Sequence, residues 1–319
     1  METFRERLGA AVASEPTPGR GQPAGVVYLD GTGLGDGLPL VRPGDDAIAA
    51  HLAAWSGAGT PGAAGPDPGA EAVSGPVPIA FAVPTWWDLA ACAVLAGAPV
   101  GSLPLMAAAI DALVDPAFNL LGVQATTGAA APLMIVDGDA VVRFGLNPGA
   151  NALGPGHRAN ATIGRAVRLV LQGVGQCAPG EGDMATHGHP GKYTWLVAAN
   201  RADDPWGEPG RPGGGRVTVF AGVGNVEVVL PSSTPDAVAR RLGQVTAGLA
   251  APVDVVLLPP ESAGFLDRHG WDGARLRAEV AAAGTGREPL VVVTGGTGVK
   301  ATVVPGWGGG SAPVSRPVG

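Results

Sequence analysis

From residue 234 to residue 294 the chain alternates at short intervals between segments of helical period and short apolar runs, and no other feature limits its possible folds as much. The order is helix 235–249, strand 253–258, helices 262–269 and 273–283, then strand 290–294. Apolar strands interleaved with helices are the pattern of a parallel sheet, because each parallel connection needs a crossover long enough to return the chain to its starting end. The expected fold is therefore α/β, with mostly parallel sheets carrying helices on both faces, arranged as two Rossmann-like halves.

Upstream the pattern is less regular. A strand over residues 25–30 runs into the Gly-rich turn GTGLGDG and a helix over 45–55. Residues 57–78 are dominated by Gly, Ala and Pro and read as an exposed loop. Next come a strand over 79–83, Ala-rich buried helices over 86–96 and 103–114, and two short apolar runs, 133–136 and 141–144, joined by DGDA in the manner of a hairpin. Residues 160–174 form the clearest amphipathic helix, with Ile163, Val167, Val170 and Leu171 on one face and Arg165 and Arg168 elsewhere. Strands follow over 193–198 and 216–221, and the Gly/Pro-rich tail 303–319 wraps back over the body. A division into an N-terminal subdomain, 1–146, and a C-terminal one, 147–319, follows from this order and from chain length.

Composition narrows the function classes. With 20 Lys and Arg against 27 Asp and Glu, the formal charge of -7 argues against binding a phosphate backbone. No apolar run approaches the roughly 20 residues of a membrane span, so a cytoplasmic location and no membrane partner are expected. The 53 Gly and 31 Pro would suggest disorder, but a hydrophobic fraction of 46% supplies a core and confines those residues to loops. Cys92, in an apolar helix, reads as core; Cys177, in a Gly-rich loop beside a polar block, is the better candidate for a reactive thiol. Lys192 and Lys300 are the only lysines in an Arg-rich chain. Such survivors draw notice because Arg cannot replace a compact ammonium or an amine that sheds its proton.

The polar chemistry concentrates in residues 147–195. Three of five histidines, His157, His187 and His189, lie there with Arg158, Asn160, Thr162, Glu181, Asp183, Thr186, Lys192 and Tyr193. Asn160 can cap the helix that follows, leaving Arg158 and the amides near Thr162 facing an anion. His187 and His189, two apart, can share one side of an extended segment. They suit acid/base catalysis with Tyr193 nearby and Lys192 stabilising an oxyanion or forming an imine. They also suit a mononuclear Zn or Fe site of His157, His187, His189 and Asp183, although no cofactor is favoured because no specific ligand spacing is present. In the tail, a strand running into Gly295 and Gly296 with Lys300 beyond has the form of a backbone that approaches an anionic ligand. It is neither a dinucleotide fingerprint nor a nucleotide-binding P-loop.

The blocks NALGPGHRANATIGRAVRLVLQGVG and DMATHGHPGKYTW resemble an uncharacterised bacterial family. The tail, with DVVLLPPESAGFLDRHGW, PLVVVTGGTG and VPGWGG, is similar to UGSC-like (seleno)proteins. The resemblance implies an α/β enzyme and attaches no reaction to it; the thiol or selenol motif behind the name has no counterpart here. Together these readings lead to an enzyme of small-molecule metabolism, specialised biosynthesis included, that handles a small anionic substrate by lyase, hydratase or group-transfer (transferase) chemistry. The alternatives are the metalloenzyme and a non-catalytic accessory subunit docked on a partner; self-association into a homo-oligomer is a further expectation.

Overall fold

The computed structural model describes residues 2–15, 25–56, 70–207, 214–249 and 251–319. In chain order the helices are α1 (Phe4–Ser14), α2 (Asp45–Ser56), α3 (Trp86–Ala96), α4 (Leu103–Leu113), α5 (Leu120–Ala125), α6 (Asp139–Arg143), α7 (Arg158–Gly173), α8 (Pro235–Leu249), α9 (Pro260–Arg268) and α10 (Gly273–Ala283). The strands are β1 (Val26–Val27), β2 (Leu40–Val41), β3 (Ala131–Asp137), β4 (Leu196–Ala198), β5 (Gly215–Gly222), β6 (Val226–Val229), β7 (Asp254–Leu258), β8 (Leu290–Val293), β9 (Lys300–Pro305) and β10 (Val314–Val318). The α/β expectation holds.

Two four-stranded sheets form the body, in the orders β10-β5-β3-β4 and β6-β9-β7-β8. Each contains one parallel pair, β3 with β4 or β7 with β8; the remaining pairs are antiparallel. The sheets are thus mixed where mostly parallel ones were expected. The reason lies in the connections: helices join the parallel strands, whereas the short link from Thr294 to Val299 cannot carry the chain back, so β9 runs against β7.

Side-chain alternation fixes the layers. Leu133 and Ile135 of β3 pack with Val255 and Leu257 of β7, Val292 of β8 and Val304 of β9 in one buried cluster. Met134 and Val136 turn the other way, into a core shared with α3, α4 and α7. Val256 and Leu258 of β7 likewise turn toward α8, α9 and α10. The two sheets therefore pack on each other, and helices cover only their outer faces. Strands buried on both sides read as continuous apolar runs whether a helix or a second sheet covers them, which is why helices on both faces were expected.

Several local expectations change. The hairpin over 133–144 is a strand followed by a helix: Gly138, at φ 75°, ends β3, and α6 occupies the second apolar run. Residues 79–83 make a tight reversal, with a bridge between Val77 and Ala82. The segment 303–319 supplies part of β9 and all of β10. The loop expected over 57–78 lies outside the described residues as far as 69. The boundary expected between 146 and 147 falls within the first sheet, between β3 and its parallel partner β4. No helix among the described residues is long and apolar enough to cross a membrane.

Candidate functional site

Helix α7 presents its apolar face to α3 and α4, and Arg168 emerges beside that face with a side chain only 11% exposed. After α7 the chain passes Cys177, turns through Gly180 and Gly182, and brings Asp183 back against the helix. A 3-10 turn at Pro190–Lys192 then swings the Lys192 ammonium onto Asp183 before β4 begins.

The geometry is a buried charge cluster. Lys192 Nζ donates to both carboxylate oxygens of Asp183, at 2.8 and 2.7 Å. Arg168 Nε donates to the Lys192 carbonyl at 2.8 Å, while its Nη2 comes no closer than 3.7 Å to Asp183. Two cations therefore share one carboxylate, and Lys192 holds it. Burial disfavours the charged form of Arg168, with Cys177 and Asp183 opposing that effect. A guanidinium placed so strongly favours an anion beside it.

Three polar side chains lie close by: Gln124, 2% exposed, whose amide adjoins the Cys177 thiol; Trp195, 3% exposed, whose Nε1 makes no hydrogen bond; and the half-buried His189, whose Nε2 is itself shielded from solvent. The His189 and Trp195 rings meet edge-on, 4.7 Å apart. His189 Nδ1 accepts from the Gly191 amide at 3.1 Å, so the neutral ring carries its proton on Nε2. Burial, then Lys192 and Arg168, push the imidazole pKa below its ordinary value and keep it neutral; the Ala129 carbonyl works weakly the other way without completing a hydrogen bond. Gly191 is required here, since a Cβ would lie 2.5 Å from His189 Cε1 and 2.8 Å from the Trp195 ring. The Cys177 thiol is pushed up to about 11, mainly by burial. At neutral pH the thiol therefore keeps its proton.

Of the residues singled out from sequence, the structure brings together His189, Lys192 and Asp183. His187 and Tyr193 are exposed, as are His157 and Arg158, and Arg158 donates to the Gly97 carbonyl. Asn160 is buried and braces the preceding loop through the Asn147 amide and the carbonyls of Asn147 and Ala152; Thr162 bonds back to the Arg158 carbonyl. These are structural contacts in place of an anion site. Gly295 donates to the Pro148 carbonyl, and a Cβ on Gly296 would stand 2.7 Å from that of Ala150. The close approach that this glycine pair permits is to the protein's own backbone. Lys300 lies exposed beside Glu227 at 3.4 Å.

The ligand set considered for Zn or Fe does not gather. Among the described residues no three His, Cys, Asp or Glu side chains converge as metal ligands, and both Asp183 oxygens are engaged by Lys192. Arg168, Gln124 and Trp195 were missed from sequence. Arg168 gave the one available signal, a charge flanked by Val167, Leu169 and Val170 within a helix. Gln124 gave none, because it meets Cys177 only in the folded chain. A cleft of about 380 Å³ lies elsewhere, between α1 and α3, lined by Arg5, Arg7, Trp87 and Asp88 among others. Its Asp88 is occupied in capping α3 through Thr85, and its charges are mixed. Chemistry therefore places the candidate site at Arg168 and His189. No family model, no curated protein and no solved structure matches the chain.

Proposed function

We propose that this chain is a cytoplasmic enzyme acting on a small anionic substrate, by lyase, hydratase or group-transfer chemistry, with His189 as its proton-handling residue. The observation that carries the reading is the buried Arg168, whose neighbouring carboxylate is already held by Lys192. A substrate anion on Arg168 supplies the missing charge. His189 then stands nearby as a neutral imidazole with Nε2–H directed away from its own backbone contact, suited to donate a proton, or a strong hydrogen bond, to an oxygen that gains negative charge. Lys192 and Asp183 are a positioning pair: the ammonium anchors the loop and adds positive potential, and because both carboxylate oxygens bind it, imine formation is not part of the proposal. His187 and Tyr193, exposed at the rim, take no assigned step.

The test uses a panel of small hydroxy-, oxo- and unsaturated carboxylates incubated with the full chain in heavy water and followed by proton NMR. Turnover, or exchange of a proton near the carboxylate for deuterium, is expected with at least one compound and is lost in His189→Gln. Silence across the panel, or activity unchanged in His189→Gln, would overturn the assignment.

A further inference from the structure

Opposite charges that share a cleft have every reason to pair, and in the cleft between α1 and α3 they do not. Its wall carries Arg5 and Arg7 from α1, Asp88 from α3 and Glu2 from just before α1. Among the described residues no ion pair or hydrogen bond joins any two of these four. Asp88 is 8% exposed and engages only Oδ2, which accepts from the Thr85 amide and hydroxyl at 2.8 and 2.9 Å. Arg7 Nη2 donates to the Gly173 carbonyl at 2.6 Å, and its Nε is buried without a partner. The exposed Arg5 is held only against Trp87, 4.7 Å from the ring centroid. Asp88 Oδ1, Arg7 Nη1 and the Arg5 guanidinium are thereby left uncommitted among the described residues. Burial pushes the Asp88 carboxyl pKa up, against the pull of its Thr85 bonds and of Arg5 and Arg7, and pushes the Arg7 guanidinium down, against Glu2 and Asp88. None of these residues belongs to the cluster around Arg168.

The rest of the wall is largely apolar. Phe4 is buried and meets Trp87 edge-on, with 6.5 Å between ring centroids, and Val83, 47% exposed, lines the same space. The volume of about 380 Å³ falls within the range of small-molecule sites. A ligand of one charge would meet as many like charges as opposite ones here, and neutral hydroxyls would leave both signs unmatched. A ligand carrying both signs meets a counter-charge with each, and an apolar body covers the aromatic surface. We propose that the cleft binds a zwitterionic α-amino acid with an apolar side chain. Its carboxylate is held by Arg5 and Arg7, its ammonium by Asp88 and Glu2, and its side chain by Phe4, Trp87 and Val83.

The experiment titrates the full chain by calorimetry with L-phenylalanine, 3-phenylpropanoate and 2-phenylethylamine. The three share one apolar body; the second lacks the ammonium and the third the carboxylate. L-Phenylalanine is expected to bind at least about tenfold more tightly than either, the least that one charge-assisted hydrogen bond contributes. In Asp88→Asn, which keeps an oxygen for Thr85, phenylalanine and phenylethylamine are expected to weaken while phenylpropanoate holds. In Arg5→Met, a change at an exposed side chain, phenylalanine and phenylpropanoate are expected to weaken while phenylethylamine holds. A purely structural role cannot divide the probes by charge in opposite ways. Equal binding of phenylalanine and phenylpropanoate marks a simple anion site and overturns the proposal. So does equal weakening of all three probes in both variants. Failure of both L-phenylalanine and L-leucine to bind the unmodified chain overturns the site altogether.

Discussion

A guanidinium buried within a helix costs several kcal/mol unless its charge is matched, and at Arg168 the match is incomplete because Lys192 occupies Asp183. Arg168→Met is therefore expected to leave the fold as stable or raise its stability by about 1 kcal/mol, read from urea midpoints, while abolishing binding of small carboxylates. Asp183→Asn removes the single carboxylate that both cations face, and about 3 kcal/mol or more of stability is expected to go with it. Opposite signs within one cluster distinguish a surplus cation from an ordinary structural ion pair. Asp254 makes a separate prediction. It is 4% exposed with Oδ1 unmatched, and burial pushes its carboxyl up to about 6. Between the unfolded value near 4 and about 6, the folded chain holds a proton that the unfolded chain has released. Stability from this group is thus present below about pH 4 and lost as pH rises through about 6. Asp254→Asn is expected to raise the melting temperature at pH 8 and to change it little at pH 4, as calorimetry would read.

At the scale of elements, the 3-10 turn at Pro190–Lys192 does two things at once. It points Lys192 at Asp183, and its Gly191 leaves room for the His189 and Trp195 rings to touch. Gly191→Ala places a methyl group within 2.8 Å of both rings. An overpacking cost of about 1–3 kcal/mol is expected, with loss of carboxylate binding although no charged residue has changed; Gly188→Ala is a poor control, since Gly188 itself sits at φ 66°. Helix α7 depends on apolar contacts with α3 and α4 along one face, so its position, and with it Arg168, is set by the helical layer.

In the whole molecule the chain builds β3, β4 and β5 of the first sheet, crosses to lay down all four strands of the second, and returns with β10 to the edge of the first. Each sheet nonetheless has the same arrangement, a parallel pair followed by two antiparallel neighbours. Val314 and Val318 of β10 are buried, and Arg316 binds Asp111 and Asp115 at 2.5 and 2.7 Å. Truncation before Val314 is expected to strip β5 of its neighbour and to convert a single cooperative thermal transition into a broad one with exposed apolar surface, visible by dye binding. Periodicity in the sequence determined α3, α4, α7, α8 and α10 almost to the residue and the cores of β3, β5, β7 and β8, because helical and extended segments bury side chains at different intervals. It also marked the block in which His189, Lys192 and Asp183 come together, because rare polar types crowd it. It could not show that an apolar strand faces another sheet instead of a helix, since both coverings ask for the same residues. Nor could it show that Asn160 and Gly296 serve packing while Gln124 meets Cys177 beside Arg168. Which polar groups are left without partners is a property of three-dimensional neighbours, and only the tertiary structure decides who those neighbours are.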